Sequence, residues 1–187
     1  MSRAILRAFF LAIALALSAP AAADVVHVDQ EIGAEFPSSF GAFKFERKHV
    51  YEQAILGYSL NYRSMFSKTL MSVYVYGEAL KIPEGAESRA LADLLQRELQ
   101  GIDYARSKGA YRSVKVLPAP KVDHPAFLAA SMEIIDNKGL PASSHIYLRG
   151  EAGYVLKVRV STLARQNIEP EIDRALDAIL KALRKRR

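Results

Sequence analysis

The chain has no cysteine, no tryptophan and only four histidines. Without cysteine there are no disulfides, no thiolate metal ligands and no thiol to carry a lipid behind an export signal. No H-x-x-x-H spacing joins His27, His49, His124 or His145, so no metal site is expected. There is no Walker A loop, and Gly33, Gly41 and Gly57 are too isolated to cradle a phosphate. No cofactor is therefore expected. Beyond the first two dozen residues no apolar run reaches the roughly 20 residues that a membrane span requires.

What is present begins at the N-terminus. Arg3 and Arg7 flank the start of an apolar run, Ala4 to Leu17, followed by Ser18-Ala-Pro-Ala-Ala-Ala23 and then Asp24. A charged start, a short apolar centre and a small-residue A-x-A end make a secretory signal, expected to be cut before Asp24. The expected product is exported, soluble and without a lipid anchor, and periplasmic in a Gram-negative cell.

Cleavage removes two arginines and no acid, leaving 24 bases against 20 acids, a net charge of +4. Five of those bases lie in the last seven residues, so the body, residues 24–180, holds 19 bases against 20 acids. The basic balance belongs to one tail. A nucleic-acid binder would carry a basic face across the whole domain, so that class is set aside. A mature chain of 164 residues is the size of one domain and buries about 70% of its unfolded surface.

Along the chain, residues 24–39 read as an extended N-terminal arm or short strand, with a single domain following over 40–187. Period-2 alternation starts at Phe43-Lys-Phe-Glu46 and continues at Leu56–Tyr62 and Met71–Tyr76. β-branched and aromatic residues fit such pleated, half-buried surfaces. Glu87 to about Arg106 is expected as a helix, with Leu91, Leu94, Leu95, Leu99 and Ile102 in one stripe and Gly109 at its C-terminal cap. Strands follow at Tyr111–Leu117, Phe127–Ile135, Ser143–Arg149 and Tyr154–Thr162, with Asp136-Asn-Lys-Gly139 as a turn. From Pro170 an amphipathic helix buries Ile172, Leu176, Ile179, Leu180 and Leu183. The fold class is α+β: an antiparallel sheet of about six to seven strands packed by two long amphipathic helices.

The runs Leu56-Gly-Tyr-Ser-Leu-Asn-Tyr62, Leu70-Met-Ser-Val-Tyr-Val-Tyr76 and Gly153-Tyr-Val-Leu-Lys-Val-Arg-Val160, with the helices between and after them, resemble the PsbP/DcrB-like superfamily. The resemblance covers roughly residues 40–183. It implies an α/β/α sandwich and an exported, non-enzymatic accessory or assembly factor that binds a larger protein complex. It carries over no catalytic residue. The anchoring cysteine of the lipoprotein members is missing here.

Candidate sites follow from residue type. Ten of the 15 mature aromatics fall between Phe36 and Tyr76. If Met71, Val73 and Val75 face the core, Tyr74 and Tyr76 face away, where rings with hydroxyls suit partner contacts. The tail Arg184-Lys185-Arg186-Arg187 suits the helix dipole, anionic lipid headgroups or an acidic partner. The expected function is a binding protein that contacts a protein partner or envelope component. The alternative is a small-ligand carrier with an apolar pocket lined by Tyr58, Tyr62 and Met132. A remoter one is a hydrolase in which Asp123, His124, Ser144 and His145 converge, although no G-x-S-x-G elbow supports it and exposed loop histidines are the plainer reading. Glu87, Asp93, Glu98, Glu133 and Asp136 read as solvated faces.

Overall fold

The computed structural model describes residues 24–163 and 166–184. Val25–Asp29 (β1) and Ala34–Pro37 (β2) form a two-stranded antiparallel sheet. Ser39–Phe40 (β3), Phe43–Val50 (β4), Tyr58–Ser64 (β5) and Leu70–Tyr76 (β6) form a meander, followed by the helix Arg89–Ser107 (α1). Tyr111–Val116 (β7), Leu128–Asp136 (β8), Pro141–Glu151 (β9) and Tyr154–Leu163 (β10) form a second meander, followed by Glu169–Arg184 (α2). The meanders join through β6 and β10 into one antiparallel sheet of eight strands, ordered β3-β4-β5-β6-β10-β9-β8-β7.

The class is the α+β architecture read from the sequence, with more strands than expected. The main sheet has eight strands rather than six or seven, and the β1–β2 sheet is additional. Residues 24–39, expected as an arm, supply β1, β2 and the start of β3. They are held because Ile32, Ala34 and Phe36 are buried in the core.

Each helix packs on its own face of the sheet. Ile172, Leu176, Ile179 and Leu183 of α2 meet Leu60, Tyr62, Met71, Val73, Val75, Leu156, Val158 and Val160, together with Phe36. Leu91, Leu94, Leu95 and Ile102 of α1 meet Met132, Ile134, Ile146, Leu148 and Val155 on the other face. Alternation along each strand sends neighbours to opposite faces, so both layers are filled by one set of strands. Full burial of each such side chain is worth about 1.5–3 kcal/mol. The Ser88 side chain caps α1 by accepting from the Leu91 amide at 3.2 Å. Past its other end Gly109 adopts φ +84°. The Asp136 carboxylate holds its turn by accepting from the amides of Lys138 (2.9 Å) and Leu140 (2.7 Å).

Coverage is uneven. α1 packs chiefly on β7, β8 and β9, the strands of the second meander. On that side of the sheet the first meander is only partly covered, by α1 at Tyr76 and by the short 3-10 helix Ala54–Leu56 against β6. Ser59 and Asn61 of β5 and Ser72, Tyr74 and Tyr76 of β6 point there, opposite the buried Leu60, Tyr62, Met71, Val73 and Val75. This partly open polar face is where the functional question lies.

Candidate functional site: a tyrosine and cation face

A β-bulge builds one edge of the face. Pairing between β4 and β5 shifts register between Phe45 and Arg47. Phe45 lies opposite Tyr62 on the α2 side, and strict alternation would put Arg47 there too. The extra residue turns Arg47 and His49 to the open side, opposite Asn61 and Ser59. A cavity of about 380 Å³ lies between them, lined by Arg47, Lys48, His49, Tyr51, Ser59, Asn61 and Tyr74. Ser72 Oγ donates to Asn61 Oδ1 at 2.7 Å, and Asn61 Nδ2 to Ser59 Oγ at 3.5 Å. The His49 and Tyr51 rings meet edge to face with centroids 4.5 Å apart.

The face continues toward α1. A smaller hollow of about 160 Å³ is walled by Tyr51, Leu56, Tyr74, Tyr76, Glu98 and Lys157. Lys157 Nζ lies 4.5 Å from the Tyr74 ring centroid and 5.4 Å from that of Tyr76. These are cation–π distances, and part-burial strengthens the attraction. The same ammonium pairs with Glu98 Oε1 at 2.8 Å, and the Tyr76 hydroxyl donates to that oxygen at 3.2 Å. Burial, then the Glu98 charge, pushes the Tyr76 phenol above its usual range. Burial likewise raises Tyr74.

Tyr74 and Tyr76 thus lie on the face opposite the Met71, Val73 and Val75 core, half-buried along one edge of α1. Arg47, His49, Glu98 and Lys157 complete the face and were missed as site residues. Glu98 corrects the solvated-face reading, because it is largely buried in a network with Lys157 and Tyr76. Arg184 ends α2, while Lys185, Arg186 and Arg187 lie outside the described residues.

The expected pocket trio is not brought together. Tyr58 and Tyr62 point to the α2 side, where the Tyr58 hydroxyl donates to Asp29 Oδ2 at 2.6 Å and Tyr62 to the Pro37 carbonyl at 3.1 Å. Met132 points to the α1 side and is packed in the other core. The sheet separates them.

The candidate hydrolytic residues are also dispersed, and the histidines are buried rather than loop-exposed. His145 is 2% exposed on the α2 side, with Nδ1 2.8 Å from Ser131 Oγ. Its sequence neighbour Ser144 points to the α1 side and receives Arg159 Nε at 3.2 Å. His124 Nδ1 accepts from the Ala126 amide at 3.2 Å, and its Nε2 lies 3.4 Å from Asp177. Asp123 is exposed. Among the described residues no group of three or more His, Cys, Asp or Glu side chains is placed to hold a metal, and no helix is long and apolar enough to cross a membrane.

No protein-family model matches the chain, and no curated protein matches it.

Proposed function

We propose that the protein is an exported, non-enzymatic accessory protein of the cell envelope, of the PsbP/DcrB-like kind, that docks a protein partner on its tyrosine and cation face. One observation carries this reading: on the α1 side of the sheet α1 covers the second meander and leaves the first partly open among the described residues. The partly open half bears Tyr74 and Tyr51 beside Arg47, His49 and Lys157. Tyrosine and arginine are enriched among residues that dominate interface energies. Tyr74 already rests on Lys157, so little side-chain freedom is lost when a partner covers it.

The test compares the mature protein with Tyr74→Ser and Arg47→Glu variants, crosslinked in the native envelope. Arg47 is exposed, so Arg47→Glu should keep the parent's thermal midpoint; Tyr74→Ser removes a half-buried ring and should lower the midpoint while leaving the circular dichroism of the folded protein unchanged. The reading expects one dominant crosslinked protein, lost in both variants. Equal yield from all three proteins would remove this face from the binding site.

A further inference from the structure

A third cavity, open to solvent and of about 420 Å³, runs beside α1 and does not depend on the docking reading. Two features of its wall stand out. The first is Gly101, in the interior of a 19-residue helix. A Cβ built there meets nothing within 4 Å, and its φ is not in the left-handed region. Neither backbone conformation nor close packing calls for glycine, yet glycine is among the poorest residues in a helix interior. What it does is keep the cavity wall low.

The second feature is unbalanced positive charge. Arg159 is half-buried and gives its Nε to Ser144 Oγ at 3.2 Å, with no carboxylate partner among the described residues. Arg97, exposed at the rim of the same wall, makes no ion pair among them either. The acid on this wall, Glu98, is already engaged by Lys157 at 2.8 Å and by the Tyr76 hydroxyl. A partly buried guanidinium without a counter-charge is costly, and its planar fork matches a carboxylate in a bidentate way. Beside the two arginines lie Leu94, Ile102 and Tyr111, an apolar and aromatic lining. Cavities of roughly 300–1,000 Å³ with apolar walls and a few fixed polar groups are the usual shape of small-molecule sites.

We propose that this cavity binds a small amphipathic carboxylate, its head held by Arg159 and Arg97 and its aliphatic or aromatic body laid on Leu94, Ile102 and Tyr111 over Gly101. The probe is sodium decanoate, titrated into the full mature protein and followed by amide and arginine side-chain NMR shifts. Saturable shifts at Arg97, Gly101 and Arg159 are expected, with acetate and inorganic phosphate binding at least tenfold more weakly. Arg159→Gln keeps a donor to Ser144 and should weaken decanoate at least tenfold. Gly101→Leu fills the cavity from a helix position with free space, so it should weaken decanoate as much while leaving the thermal midpoint unchanged or higher. The proposal is overturned by no saturable binding in the millimolar range, by affinity unchanged in both variants, or by phosphate matching decanoate.

Discussion

Ala152 sits in a conformation that alanine disfavours. It and Gly153 form the two-residue connection between β9 and β10, with φ +50° and +89°. Positive φ at both positions is the type I′ hairpin, which favours Asn-Gly. An L-residue with a Cβ loses roughly 1–2 kcal/mol there, and asparagine less. Ala152→Asn should raise the thermal midpoint by about 2–4 °C; an unchanged or lower midpoint in calorimetry would show that the turn is not strained. His145 is the second residue with a measurable signature. Burial first, then the nearby Lys121 charge, pushes its imidazole down to about 4, against a weaker opposing pull from Glu169. Ser131 and Tyr147, its neighbours on the same sheet face, carry no charge at neutral pH. An unfolded histidine titrates near 6.5, so protons favour the unfolded chain. Its contribution is full above about pH 6.5 and is lost as pH falls from there toward about 4, on the order of 3 kcal/mol. His145→Gln should flatten the urea midpoint over that window relative to the parent. Parallel declines in the two proteins would assign the acid sensitivity to other groups.

At the scale of elements, glycines divide into those the fold requires and one it does not. Gly150 belongs to the first kind. The strap 82–85, which leads from β6 toward α1, pairs with β9 through the bridge Gly85–Gly150 and with the β9–β10 turn through Ile82–Gly153. A Cβ on Gly150 would lie 1.8 Å from the Pro83 carbonyl oxygen. Gly150→Ala should therefore destabilise by about 1–3 kcal/mol and show as a lower urea midpoint. Gly101 is the opposite case: Gly101→Ala, exposed and in free space, should stabilise α1 by up to about 1 kcal/mol. If both substitutions destabilised alike, the free space beside Gly101 would not exist. Elements with a strong period were legible in the sequence. β5, β6, β10 and both helices fall within a few residues of where the alternation and the apolar stripes put them. β3 has two residues and β2 four, too short to show a period. The bulge at Phe45/Arg47 was invisible, because Glu46-Arg-Lys-His49 is polar throughout and offers no alternation in which a shift of face would show.

For the whole molecule, the same limit governs the candidate site. Alternation on β6 alone was enough to send Tyr74 and Tyr76 away from Met71, Val73 and Val75. Their surroundings were not, because Glu98 and Lys157 come from α1 and β10, 59 residues apart in sequence, and meet only when α1 lies across the second meander. The grouping of Tyr58 and Tyr62 with Met132 failed for a related reason: sharing a face depends on register through five strands, β5-β6-β10-β9-β8, and no local pattern carries that. Docking on the open half of the sheet is the central claim, and site-specific photo-crosslinking tests it most directly. A photoreactive amino acid is placed at Tyr74, or at the exposed Lys181 of α2 on the opposite side of the sheet, and irradiated in the native envelope. The account predicts one dominant protein adduct from position 74 and none from 181. Adducts of equal yield from both positions, or from 181 alone, would contradict it.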